Sequence, residues 1–312
     1  MDGPKISVIG HAGIDYIIDV NNFGDINTST HINNITQYYG GTGMNTAFVA
    51  AKMGANVKFL TCTGDDFHPD DDFSKHIILR KFKAAELEDP KTPTCYIINN
   101  KNGYQKAYIF DNTLQHYDKI KHANMHLDNE ECVHMTTTPI DFSIRNAQDV
   151  QEQSDAVVSW GPGQNLKLWD RESFSNMIQN VNILFINSTE MKYINNELGY
   201  GANTLIDMMN DSHDKILIMT MGGDGSMMLH NRYKNPWYCS CTSANCVDPT
   251  GCGDAFAGAF LRQILDHRMS LPDAMRFAST VAAFVIEKRG CQTNIPSYSD
   301  VLGRMQSHYK NR

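Results

Sequence analysis

The strongest constraint on this chain is a rhythm. Short apolar runs of strand length alternate with segments of helical pattern over most of its length. KISVI (5–9), NVKFLTC (56–62), CVHMT (132–136), DAVVSW (155–160), NILFIN (182–187) and KILIMT (215–220) read as strands. Between and after them, 42–53, 143–150, 168–179, 253–267 and 271–288 read as helices. Strands that are apolar throughout have both faces buried, which is the habit of parallel sheets covered by helices on each side. The expectation is an α/β fold of three layers with a mostly parallel sheet.

Two stretches break the rhythm. YIIDV (16–20) and HINNITQYY (31–39) have β-rich composition with a polar turn between them. TCYIINN (94–100) and YQKAYIFD (104–111) flank Lys101-Asn102-Gly103, and an Asn-Gly pair between β-rich runs is a hairpin signal. Two β-only excursions, near 12–40 and 92–112, predict a small second sheet standing on the main body as a lid. SMMLH (226–230) and PWYCSCT (236–242) predict a further β pair. With no repeat and no low-complexity linker, residues 1–312 read as one domain.

Composition narrows the function. Lys and Arg number 27 against 35 Asp and Glu, a net charge of −8, which argues against binding a nucleic-acid polymer or an anionic membrane. No apolar run approaches the roughly 20 residues of a membrane helix. The N-terminus enters KISVIG without a basic segment and a long apolar one, so no signal peptide is expected. Eight cysteines in 312 residues are too sparse for a disulfide scaffold, and Cys239, Cys241 and Cys246 lack zinc-site spacing. A reduced, cytoplasmic protein follows.

Glycine-rich segments sit at the strand–helix junctions. In VDPTGCGDAFAG (247–258), Gly251-Cys252-Gly253 opens an Ala- and Phe-rich helix with Asp254 in its first turn. Free N–H groups at a helix start form an anion site, and a carboxylate beside them can take a proton from a hydroxyl. The alternative is an ordinary loop with an acidic first turn. Gly40-Gly41-Thr42-Gly43-Met44-Asn45 offers an amide for a polar ligand, or simple close packing. Asn187-Ser188-Thr189-Glu190 follows a strand and could support hydrated Mg²⁺ or cap a helix. Thr220-Met221-Gly222-Gly223-Asp224-Gly225 could meet a phosphate or form a tight turn.

Together these segments resemble the ribokinase-like (PfkB) family of carbohydrate and nucleoside kinases. GGTGMNTAFVAAKMGANVKFLTCTGDD (40–66) is similar to its N-terminal signature, and DPTGCGDAFAGAFL (248–261) to its C-terminal one. NSTE (187–190) and TMGGDG (220–225) match the two motifs expected between them. The resemblance implies a ribokinase-like fold and transfer of the γ-phosphoryl group of ATP, with Mg²⁺, to an alcohol. It implies Asp254 as the base and the Gly251, Cys252 and Gly253 amides as the anion hole. It implies Asn187, Thr220, Gly222 and Gly225 on the nucleotide, and Glu190 on Mg²⁺ through water. It further implies Asp15, Gly41 and Asn45 on the acceptor, and a monovalent cation such as K⁺ near Asp248.

Three positions depart from the pattern. Cys252 replaces the usual Ala; a thiol at a helix start can be acidic and open to oxidation, or buried and inert. Thr42 replaces the Lys of ribokinases proper, and Pro249 replaces the usual Thr. Segments 10–16 and 39–46 hold no Lys or Arg, so the acceptor carries no phosphate. A free sugar is the first expectation and a nucleoside the alternative, with His11, Tyr38, Tyr39, Tyr96 and Phe110 available to stack on a base. A non-catalytic binding protein on this fold is the remaining alternative. Exposed lid edges suggest a homodimer through the lid.

Overall fold

The structure, a computed structural model, describes residues 3–82, 87–102, 104–119, 127, 129–267 and 269–310. The chain begins with β1 (Lys5–Ile9), β2 (Gly13–Val20), β3 (Ile32–Gly40), α1 (Thr42–Lys52), β4 (Asn56–Cys62), α2 (Asp71–His76) and β5 (Ile77–Phe82). It continues with β6 (Thr94–Asn100), β7 (Gln105–Phe110), β8 (Cys132–Met135), α3 (Ile140–Gln153), β9 (Val157–Trp160) and α4 (Arg171–Ile178). Then come β10 (Ile183–Asn187), α5 (Ser188–Tyr193), α6 (Ala202–Met208), β11 (Ile216–Thr220), β12 (Ser226–His230) and β13 (Trp237–Cys239). Helices α7 (Cys252–Leu265), α8 (Leu271–Val285) and α9 (Tyr298–Tyr309) close it.

Nine strands form the main sheet in the order β13-β12-β11-β10-β9-β8-β1-β4-β5. Every pairing from β11 to β5 is parallel, and β12 and β13 run antiparallel at one edge. The strands are apolar throughout because both faces are buried. In β11, Ile216 and Ile218 pack with α1, α7 and α8, whereas Leu217 packs with the opposite layer of α3, α4 and α6. The same alternation holds in β10, with Ile183 and Phe185 on one side and Leu184 and Ile186 on the other.

A second sheet of four strands, β3-β2-β6-β7, is the lid. Both β excursions contribute two strands, and β2 pairs parallel with β6 to join them. The turn residue Gly103 lies outside the described residues. Some elements had weak sequence signals. β5 reads IILRKF and is half-exposed at the sheet edge, so it lacks a continuous apolar run. α2, α5 and α6 have only 6, 6 and 7 residues, too short for a clear period.

Two close approaches set the working end of the fold. A Cβ on Gly258 would meet the Thr46 carbonyl oxygen at 2.5 Å, so α7 can lie against α1 only with glycine there. A Cβ on Gly43 would meet Gly10 Cα at 2.8 Å, which fixes the start of α1 on the end of β1. These contacts bring Asn45 on α1 beside Asp254 on α7.

Candidate active site

Asp254 lies in the first turn of α7, whose N-cap is Gly251 at φ 72°. A side chain at Gly251 would also strike Cys291 Sγ at 2.3 Å. Both facts require glycine there. The amides of Gly251 and Asp254 make no backbone hydrogen bond among the described residues, as befits the open first turn of a helix, and the Gly253 amide faces the Cys252 sulfur. The Cys252 amide differs from expectation: it donates to the Pro249 carbonyl at 3.3 Å, because the loop tightens before the helix begins. The Cys252 thiol is raised by burial and by the Asp254 carboxylate, so it lacks the acidity its helix position suggested.

Three cavities meet at this helix end. The largest, about 580 Å³, is lined by Asp15, Gly41, Thr42, Asn45, Gly251, Cys252, Gly253 and Asp254, among others. A second, about 330 Å³, is lined by Thr220, Gly222, Gly225, Gly253 and an apolar wall of Phe256, Ala282, Ala283 and Ile286. A small polar cavity of about 130 Å³ lies between them, lined by Asn187, Glu190, Thr220, Gly253 and Asp254. Gly253 borders all three and Asp254 two of them.

The carboxylates are tuned by their surroundings. Burial pushes the Asp254 carboxyl up to about 7; the hydrogen bond from Asn45 opposes the rise and Glu190 adds to it. Asn45 Nδ2 donates to Asp254 Oδ2 at 2.9 Å. Asp15, on β2 at the lid's inner face, is raised to about 6 by burial and by the Asp248 carboxylate. Glu190 is raised by burial against the pull of the Asn187 amide.

Of the two readings open for the NSTE segment, the structure shows the helix cap. Asn187 ends β10 beside Thr220 at the end of β11, so the two motifs share the C-terminal edge of the sheet. Asn187 Oδ1 accepts from the Thr189 and Glu190 amides at 2.9 Å, and Glu190 Oε2 accepts from the Asn187 amide at 2.8 Å. This is a capping box. It leaves Glu190 Oε1 without a hydrogen bond among the described residues. Thr46 and Thr136 line the same small cavity, and both hydroxyls are buried without a partner. Oxygen donors of this kind, unpaired in a polar cavity, fit a hydrated Mg²⁺.

Other expected residues are placed differently. Asp248 borders a separate cavity beneath the lid. Its Oδ1 accepts from the Thr250 amide and its Oδ2 from the Gly290 amide, both at 3.0 Å. Burial would raise it, but these bonds, with others from Thr250 and the charge of Arg289, hold it below the usual carboxylate range. Tyr38, Tyr39, Tyr96 and Phe110 do not line the large cavity. Register explains this. Asp15, Cys95 and Ile109 lie opposite one another on the inner face, so Tyr16, Tyr96 and Tyr108 fall on the outer one. Tyr96 stacks on Tyr16 with ring centroids 5.4 Å apart. Tyr38, though in register with Asp15, has its ring against Gly290. Tyr39 donates to the His68 carbonyl.

His11 does line the cavity, and burial lowers it to about 4 against the opposing pull of Asp111. No sequence motif marks Gln164, Asn165, Ile97, Ile109 or Leu114, which also line the cavity. Gln164 and Asn165 sit in a short 3₁₀ turn after β9, where no motif marks them.

Comparison with known proteins bears on the family and the fold. Residues 4–298 match the pfkB family of carbohydrate kinases. A nucleoside kinase of Methanocaldococcus jannaschii is 30% identical over 306 residues, covering 97% of each chain. A crystal structure of the nucleoside kinase from that organism superposes with a TM-score of 0.86 at 29% identity, covering 99% of each chain. The Arabidopsis thaliana ribokinase complexed with ribose and ATP shares the fold at a TM-score of 0.83 and 18% identity, covering 98% of this chain and 99% of that one. With the four motifs gathered at one end of a ribokinase fold, the chain belongs to the pfkB family of carbohydrate kinases and is an ATP-dependent phosphotransferase.

Proposed function

We propose that the chain phosphorylates a hydroxyl of a nucleoside, with Asp254 as general base. The observation that carries this reading is the meeting of the three cavities at Gly253 and Asp254. The acceptor takes the large cavity, ATP the apolar one, and the transferred group passes between them. Asp15, Gly41 and Asn45 hold the acceptor's sugar hydroxyls at the end near Asp254. Pro93, Ile97, Ile109 and Leu114 offer an apolar wall for a flat base, and Gln164 and Asn165 offer amides for its polar edge. The 30% identity to a nucleoside kinase supports the same acceptor. A free sugar is the second reading; it rests on the family's carbohydrate kinases and needs only the polar end of the cavity.

Asp254 Oδ2 is held by Asn45 while Oδ1 makes no hydrogen bond among the described residues. Oδ1 is therefore the atom that accepts the hydroxyl proton as the new O–P bond forms and the bond to the ADP oxygen breaks. The Gly251, Gly253 and Asp254 amides stabilise charge on the equatorial oxygens. Glu190 Oε1, Thr46 and Thr136 would hold Mg²⁺ through its waters. Bound there, the ion neutralises phosphate charge. Thr220, Gly222 and Gly225 border the nucleotide's phosphate end, and Asn187 acts by capping the helix that carries Glu190. K⁺ near Asp248 would act through that loop, since both carboxylate oxygens already accept backbone N–H groups.

The lid's outer face supports a homodimer. Ile32, Ile35, Tyr96, Tyr108 and Phe110 are exposed by 42% or more on this face. Exposed apolar side chains on a sheet face with two open edges call for cover, and a second copy would supply a matching face by two-fold symmetry.

The decisive experiment incubates the protein with ATP, Mg²⁺ and panels of nucleosides and free sugars, following ADP release. Turnover with nucleosides supports the first reading, and turnover with sugars alone the second. No acceptor-dependent ADP release in any reaction would refute the catalytic assignment.

A further inference from the structure

The segment after α8 touches the site from a direction that no motif marked. Arg289 Nη1 pairs with Asp19 of the lid at 3.2 Å. The Gly290 amide donates to Asp248, and Cys291 Sγ lies against the Gly251 carbonyl at 3.5 Å. Thr293 Oγ1 closes the segment on itself through the Arg289 and Gly290 carbonyls at 2.7 and 2.8 Å. Held on both sides, Gln292 points its amide at α1. Its Nε2 donates to Asn45 Oδ1 at 3.0 Å.

Asn45 therefore stands between two partners, Gln292 and Asp254. It is 4% exposed, so its orientation is set chiefly by these two side chains. The chain of donors has a direction: Gln292 N–H to Asn45 oxygen, then Asn45 N–H to Asp254 oxygen. An ionised carboxylate only accepts hydrogen bonds. It needs the NH₂ end of Asn45, and Asn45 can present that end only if something else donates to its oxygen. With Asn45 turned the other way, its carbonyl would face Asp254 and favour the protonated acid, which cannot act as a base.

We propose that Gln292 is a positioning residue for phosphoryl transfer, locking the Asn45 amide so that it donates to Asp254 and leaves Oδ1 for the acceptor hydroxyl. The inference rests on the reading of Asp254 as the base. Gln292 acts on the chemical step and not on the nucleotide, since it lines neither the cavity of Thr220 and Gly222 nor that of Glu190.

The test compares Gln292→Met, which removes the donor at similar length, with Gln292→Glu, which replaces it with an acceptor. Each is made in the wild-type and in the Asn45→Ala background and assayed with ATP, Mg²⁺ and the best acceptor of the panels. Loss of one positioning hydrogen bond lowers kcat on the order of tenfold. We expect Gln292→Met to do this with KM for ATP unchanged, and Gln292→Glu to lose more because it draws the Asn45 NH₂ away from Asp254. In the Asn45→Ala background, Gln292→Met should cause no further loss, because the residue it orients is gone. Unchanged kcat in Gln292→Met, or an equal fold-loss in both backgrounds, would overturn the proposal. So would a variant unfolded at the assay temperature in a melting scan, which would show Gln292 to be structural. Wild-type protein without acceptor-dependent ADP release, or Asp254→Asn with full activity, would instead overturn the reading on which the inference rests.

Discussion

Replacing Asp254 with Asn should remove activity and stabilise the protein, and the two effects share one cause. The carboxyl titrates near 7 in the folded chain against 3.8 for a free one. A group raised on folding contributes its stability fully below about pH 4 and loses it as pH rises through 7. At pH 8 the folded protein thus holds a carboxylate that it would prefer protonated. The full displacement corresponds to about 4 kcal/mol. Asp254 borders an open cavity, where water screens part of the penalty, so about 1–2 kcal/mol is the working figure. Asn keeps the shape, and its amide oxygen can accept from Asn45 Nδ2, so no polar group is stranded. Melting at pH 8 should rise by a few degrees in Asp254→Asn, and the gain should fade toward pH 4. Turnover should fall by about 10²–10⁴-fold, while binding of an ATP analogue in calorimetry stays within about twofold of wild type. Equal melting shifts at pH 8 and pH 4 would refute the assignment of the penalty to this carboxylate. Retained turnover would refute its role as base.

Other perturbations follow from the same geometry. Gly251→Ala places a Cβ 2.3 Å from Cys291 Sγ at a φ of 72°; chemical denaturation should show a loss of about 1–3 kcal/mol, and turnover should fall with it. Glu190→Gln preserves the capping box, since an amide oxygen can accept from the Asn187 N–H, but weakens the hold on Mg²⁺; a titration of activity against Mg²⁺ should shift its midpoint upward by about 10-fold or more. Asp15→Ala should raise KM for the acceptor by about tenfold and leave KM for ATP unchanged. For wild type, acceptor KM should rise as pH falls through about 6, where burial and Asp248 place the protonation of Asp15. Charging the lid's outer face with Ile35→Asp and Tyr108→Asp should halve the mass seen by light scattering; wild-type protein that is already a monomer would reject the dimer.

The main sheet was legible because burial on both faces writes itself into every strand. Ile216, Leu217 and Ile218 are all buried, so β11 reads as an unbroken apolar run whichever way its side chains point. The motif residues were legible because backbone geometry demands them. Only glycine fits at Gly251 against Cys291, and at Gly258 against the Thr46 carbonyl, and such demands leave glycines at fixed spacing. The lid was different. Its strands were found, but which face meets the acceptor was not. That depends on the register between segments about eighty residues apart, Asp15 with Cys95, which the hairpin then carries on to Ile109. A shift of one residue would have turned Tyr16, Tyr96 and Tyr108 inward. The same holds for Gln292, which lies 247 residues from the Asn45 that it bonds. A short polar side chain in a loop carries no periodicity and needs no unusual dihedral. Sequence patterns therefore revealed the parts of the site imposed by sterics, while the parts set by the direction of hydrogen bonds across the fold became visible only once α1, α7 and the segment after α8 were brought together.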